Sequence, residues 1–174
     1  VLVRDFGGRW HEVVRQAHGS ALRLVEMLVT HFPSWDDVAQ FKGRRVTFYK
    51  RAQLAAGMVY QAFGGQGWGA FPDFSQLTVY ADYKLPQVLR KLGILVYDEA
   101  LSALVDSQTP IPAGSRMEIE IRAATVWAGE QLRQALLGRA PEITAAHIDF
   151  WLWETSQRKS PDARPYHRTL TTAY

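Results

Sequence analysis

The stretch 115–138 constrains the fold more than any other. Ser115 with Glu118 three residues on has the form of a capping box. From there Met117, Ile121, Ala124, Ala128, Leu132, Ala135 and Leu136 recur at helical spacing until Gly138. The pattern predicts an amphipathic helix over 115–137. The alternation of Glu118 and Glu120 with Ile119 and Ile121 leaves a strand as the competing reading of its opening turns. A long apolar stripe has to be covered, and the rest of the chain offers further helices to cover it.

Residues 9–31 repeat the helical period through Trp10, Val13, Val14 and Ala17, then through Ala21, Leu24, Val25 and Leu28. Ser20 is placed to cap a second segment, so the stretch reads as one helix or two. Ser34-Trp35-Asp36-Asp37 reads as a cap leading a short helix to about residue 41, before a turn at Lys42-Gly43-Arg44-Arg45. A stronger helix is predicted over 46–63, burying Phe48, Ala52, Ala55, Val59 and Phe63 and closed by Gly64-Gly65. The glycine-rich loop 64–73 carries Trp68 and Phe71, and loops of this kind often edge binding sites. Asp98 opens a short helix to 105, and Thr144 caps a last one over 145–158 before a polar tail. The strand signal is confined to Leu77, Val79 and Tyr80. The expectation is one mainly α, multi-helix globular domain over 1–174, with at most a short strand near 77–80.

Composition narrows the function classes. The 174 residues, 47% hydrophobic and 12% aromatic, suffice for a buried core and exclude a disordered chain. Six Trp and seven Tyr mean an aromatic core or a pocket lined with rings. Cysteine is absent, which removes disulfides, thiolate chemistry and zinc sites of the cysteine type and agrees with a cytoplasmic setting. No run is apolar enough to span a membrane. A net charge of +3 and a pI near 9.3 suit an anionic ligand without demanding a polynucleotide. The five histidines have no carboxylate at ligand spacing, so no metal is expected. No Gly-x-Ser-x-Gly elbow points to a serine hydrolase.

Two acids stand out. Asp82 follows the apolar run at 77–80 and precedes a short helix opened by Pro86, with Val88, Leu89 and Leu92 on one face and Gly93 as its stop. It reads as a helix cap or as a carboxylate held beside a pocket near a helix N-terminus. Asp149 lies in the helix Ile148-Asp149-Phe150-Trp151-Leu152-Trp153. Burial there requires a partner, either a cation such as Arg122 or a ligand group. Trp127, Trp151 and Trp153 read as core more readily than as stacking platforms. Lys50 and Arg51, early in the 46–63 helix, read as a solvated face or as cations serving a site.

Ala81-Asp82-Tyr83-Lys84-Leu85-Pro86-Gln87-Val88-Leu89 resembles the signature of the queuosine salvage family. Matching segments follow the family's order: Phe48-Tyr49-Lys50-Arg51-Ala52-Gln53, Glu118-Ile119-Glu120-Ile121-Arg122, Ile148-Asp149-Phe150-Trp151-Leu152-Trp153-Glu154, and the tail Pro165-Tyr166-His167-Arg168 ending at Tyr174. Family members are longer, so the resemblance implies a C-terminal portion. It also implies a fold like that of helical DNA glycosylases and hydrolysis of queuosine 5′-phosphate to free queuine, with no cofactor and no requirement to bind tRNA directly. On that reading Asp82 stabilises the developing sugar cation or orients water, and Lys50 keeps Asp82 charged or donates to the leaving base. Tyr83, Trp153 and Asp149 (or Glu154) contact substrate, and Lys84, Arg164, His167 and Arg168 are phosphate candidates by charge. The competing readings are a glycosylase acting on polynucleotide and a non-catalytic helical module that binds RNA or protein.

Overall fold

Helices form where the apolar spacing places them. A computed structural model describes residues 1–158 and 163–174. The elements are α1 (Leu2–Phe6), α2 (Trp10–Gln16), α3 (Ala21–His31), β1 (Val38–Phe41), β2 (Arg44–Thr47), α4 (Lys50–Ala62), α5 (Lys84–Lys91), α6 (Glu99–Asp106), α7 (Arg116–Leu136) and α8 (Ala145–Gln157). The molecule is mainly α. Residues 9–31 are two helices, because Ser20 accepts a hydrogen bond from the Arg23 N–H and starts α3 afresh. Ser115 caps α7 and helix runs from its opening, so the strand alternative at 118–121 falls away. Thr144 and His147 form a reciprocal capping box at α8.

Two expectations are corrected. Residues 34–41 do not form a helix: a single 3-10 turn at Pro33–Trp35 leads into β1, which pairs antiparallel with β2, Val38 opposite Thr47 and Phe41 opposite Arg44. The two-residue loop between them has φ of 49° at Lys42 and 74° at Gly43, the left-handed pair that a tight hairpin requires. The next helix therefore starts at Lys50 rather than 46, after Tyr49 turns the chain at φ 49°. At 77–80, where at most a short strand is expected, there is none. That segment is extended but pairs with no strand, and side chains of three helices hold it instead. Gln53 of α4 accepts from the Thr78 N–H at 2.9 Å and donates to its hydroxyl at 3.0 Å. Asp149 of α8 accepts from the Tyr80 N–H at 2.7 Å, and Arg122 of α7 donates to the Ala81 carbonyl at 3.2 Å.

Two apolar cores flank this segment. Val13, Leu24, Leu28, Ala52 and Ala56 pack with Phe71, Phe74 and Leu77 on one side. Val79, Leu85, Leu89, Ile148 and Leu152 join α5, α7 and α8 on the other. Each fully buried leucine contributes roughly 1.5–3 kcal/mol. Gly57 and Gly129, both inside helices, make room for the crossing. A Cβ on Gly57 would lie 2.2 Å from the Tyr80 hydroxyl, and one on Gly129 would lie 2.5 Å from Val79 Cγ1. The inward face of α8 is Ala145, Ile148, Asp149 and Leu152, so Trp151 and Trp153 are exposed, as is Trp127 on α7. For these tryptophans the expectation of core burial is corrected.

Candidate active site

The extended segment delivers Tyr80 and Asp82 to the wall of a cavity of about 620 Å³. The other walls come from α4, through Lys50, Leu54, Gly57, Met58, Tyr60 and Gln61, and from α8, through Ala146, His147, Asp149, Phe150 and Trp153. Phe74 stacks on Tyr60 with ring centres 3.8 Å apart and closes one side. That volume lies within the range of ordinary small-molecule pockets.

Asp82 answers both readings of its position. Its Oδ1 accepts from the Lys84 N–H at 2.7 Å and the Leu85 N–H at 3.1 Å, which caps α5. Its Oδ2 lies 3.7 Å from the Lys50 ammonium, with the side chains only 10% and 15% exposed. One oxygen serves the fold and the other faces the cation.

Asp149 is buried, and its partner is a backbone group rather than Arg122. Arg122 is already engaged by Asp37 and Glu118. Burial pushes the Asp149 carboxyl up to about 7; the Tyr80 N–H and Lys50 oppose this, and nearby Asp82 adds to it. Near neutrality the group therefore stands between its two protonation states.

The remaining candidates lie elsewhere. Trp153 and Asp149 join Lys50 and Asp82 at the cavity, whereas Tyr83, Lys84, Arg164, His167 and Arg168 are not among its lining residues. Tyr83 packs on Tyr166 with ring centres 4.8 Å apart, and the Lys84 ammonium lies 5.8 Å and 5.1 Å from the two rings. The Arg164 carbonyl accepts from Gln87 at 2.5 Å. The Arg168 carbonyl accepts from the Ile111 N–H at 2.7 Å, fixing the tail to the loop after α6. His167 is not a solvated cation. It is 2% exposed, with Nε2 3.3 Å from the Tyr174 hydroxyl, and burial, reinforced by Arg122, lowers its pKa to about 4. It is neutral at physiological pH and brings no charge to a phosphate. Glu154 is exposed and pairs with Arg158 at 3.4 Å.

Sequence reasoning missed Tyr80, Met58, Tyr60, His147 and Phe150 as cavity residues. Gly57 is the signal that was available: a glycine inside a strong helical pattern marks a close approach, here of Tyr80. Among the described residues no helix is long and apolar enough to cross a membrane.

Comparison with known proteins agrees along the whole length. Residues 1–174 match the family described as queuosine salvage protein. The chain is 47% identical over 174 residues to the queuosine 5′-phosphate N-glycosylase/hydrolase of Sphaerobacter thermophilus, covering 100% of this chain and 54% of that protein. It is 38% identical over 174 residues to the protein of the same name from Dictyostelium discoideum, with the same coverage. The Mus musculus protein of that name is 36% identical over 184 residues, again covering 100% of this chain and 54% of the relative. The chain thus spans about half the length of the curated relatives it matches. It belongs to the queuosine salvage protein family.

Proposed function

We propose that this chain carries the reacting carboxylate and the base-binding wall of a hydrolase that splits the N-glycosidic bond of queuosine 5′-phosphate and releases queuine. The observation that carries the reading is the Asp82–Lys50 pair on the wall of the cavity that Asp149 and Trp153 also line. The names of the relatives supply the substrate.

The chemistry follows from those groups. As the bond from the ribose C1′ to the base nitrogen breaks, its electron pair leaves with the base and positive charge builds on the sugar. Asp82 Oδ2 stabilises that charge, and it orients the water whose oxygen bonds to C1′. One water proton is lost and the departing nitrogen gains one, so the products are free base and ribose 5-phosphate. A 7-deazapurine has carbon where guanine has its basic N7, so the usual protonation site is missing. Stabilisation of the sugar cation therefore carries more of the barrier. Lys50, beside Oδ2, orients the carboxylate and is a proton donor within reach of the centre. The Asp149 carboxyl meets the cationic amine or the hydroxyls of the queuine side chain. A bound ammonium would draw it into its charged form, releasing a proton near pH 7. Trp153 offers a ring face to the planar base. We place the reaction in the cytoplasm, where tRNA turns over.

The test is to supply synthetic queuosine 5′-phosphate, queuosine nucleoside and queuosine-containing tRNA to the protein and to chromatograph free queuine. Release from the nucleotide is expected. Release from tRNA alone would replace this reading with a polynucleotide glycosylase, and release from none with a binding module.

A further inference from the structure

Arg122 sits in the first half of α7, 2% exposed, with Asp37, Phe48, Ala81 and Tyr174 in contact with its planar head. Nη1 donates to Asp37 Oδ1 at 2.8 Å and Nη2 to Asp37 Oδ2 at 2.5 Å, a bidentate fork. Nη1 also reaches Glu118 at 3.4 Å. The ring of Phe48 covers the guanidinium at 4.0 Å and that of Tyr174 at 4.3 Å.

The fork's remaining contacts lead to the reacting pair. Asp37 Oδ2 accepts from the Lys50 N–H at 3.0 Å, and so fixes the first residue of α4. Arg122 Nε donates to the Ala81 carbonyl at 3.2 Å, and that carbonyl belongs to the peptide unit whose nitrogen is Asp82's. Each member of the buried pair thus holds the backbone of one member of the reacting pair.

We propose that the Arg122–Asp37 ion pair is a positioning device that sets the separation of Lys50 and Asp82 by holding the Lys50 N–H and the Ala81 carbonyl on one rigid fork. The inference rests on the proposed function of that site. A buried ion pair is a poor source of stability, since apolar residues of similar volume often serve as well. What apolar residues cannot supply is a planar set of donors aimed at a carboxylate and a carbonyl together. Lysine cannot supply it either, although it keeps the charge. Tyr174 shields the fork from water, which would otherwise compete for its hydrogen bonds.

Arg122→Lys tests this. The expected result is a folded protein with kcat lower by about 100-fold, the cost of a misplacement near 1 Å, and KM little changed. A crystal structure of Arg122→Lys reads the same geometry without turnover, the Lys50 Nζ–Asp82 Oδ2 separation widening from 3.7 Å. Should Arg122→Lys fail to fold, the tail decides. Tyr174→Ala is expected to lower kcat about tenfold, with Tyr174→Phe restoring it, because the ring rather than the hydroxyl covers the fork. A folded Arg122→Lys protein with wild-type kcat and an unchanged Lys50–Asp82 separation overturns the inference. So does a Tyr174→Ala loss that Tyr174→Phe leaves unrepaired. Wild-type protein that releases no queuine, while the Lys50–Asp82 separation still widens in Arg122→Lys, overturns the functional reading and leaves the positioning role standing.

Discussion

Two buried clusters in this protein each contain one cation and two carboxylates, and they are built to opposite ends. Around Arg122 the fork meets Asp37 at 2.5–2.8 Å, Glu118 lies at 3.4 Å, and the rings of Phe48 and Tyr174 lie 4.0 and 4.3 Å away. At the cavity Lys50 stands 3.7 Å from Asp82, and Asp149 takes a backbone N–H in place of a cation. Arginine spends its planar donors on fixed geometry. Lysine keeps a compact charge on a flexible stem that can follow a reaction. The closed cluster holds backbone, and the loose one lines the cavity. The rigid cluster and the cavity cluster thus meet at a single peptide unit, 81–82.

The sharpest way to break this comparison is to truncate each cation in turn. Arg122→Ala leaves two buried carboxylates unpaired and is expected to cost about 3–5 kcal/mol, lowering the melting temperature by roughly 10 °C. Lys50→Ala, which removes a cation 3.7 Å from its carboxylate instead of 2.5–2.8 Å, is expected to cost less than Arg122→Ala while abolishing most base release. Equal calorimetric losses would show that the two clusters are not different in kind.

Asp82→Asn keeps an oxygen to cap α5 and removes the charge that faces Lys50. Its expected signature is a fall of about 100- to 1,000-fold in queuine release at nearly unchanged melting temperature. Near-normal turnover would reduce Asp82 to a helix cap.

Gly57→Ala probes the crossing rather than either cluster. With the added carbon 2.2 Å from the Tyr80 hydroxyl, the buried Tyr80 ring must shift. The expected loss is about 1–3 kcal/mol, read by denaturant unfolding. Gly138→Ala, where a Cβ meets nothing, serves as control.

The last effect is one of pH, where two buried groups act against each other. Asp149, raised from 3.8 to about 7 by burial, contributes stability fully below about pH 4 and loses it as pH rises to about 7. His167, lowered from 6.5 to about 4 by burial, contributes above about pH 6.5 and loses it as pH falls toward 4. The two slopes oppose one another. Relative to wild type, Asp149→Asn should lose melting temperature more steeply on acidification from pH 6.5 to 4, and His167→Gln less steeply. Parallel curves for all three proteins would mean that neither group titrates as its burial implies.

What the sequence determined by itself is whatever depends on neighbours a few residues apart. The α7 stripe, the Ser20, Asp98, Ser115 and Thr144 caps and the mainly α class are of this kind, because periodicity and capping are local. The family signature marked Lys50, Asp82, Asp149 and Trp153, and these four line one cavity. Tertiary structure alone decided what depends on distant partners. The hairpin at 38–47 replaced a short helix because its pairing lies across a turn, beyond the reach of any helical period. The segment 77–80 has strand-like residues but lacks a strand beside it; Gln53, Asp149 and Arg122 provide the hydrogen bonds that a ladder would have given. His167 and Arg168 looked like one basic tail, yet the chain buries the first and leaves the second exposed. Arg122 found Asp37, 85 positions away, instead of Asp149. Charge can be read along a sequence, but which charges share one low-dielectric space is fixed only when the helices pack.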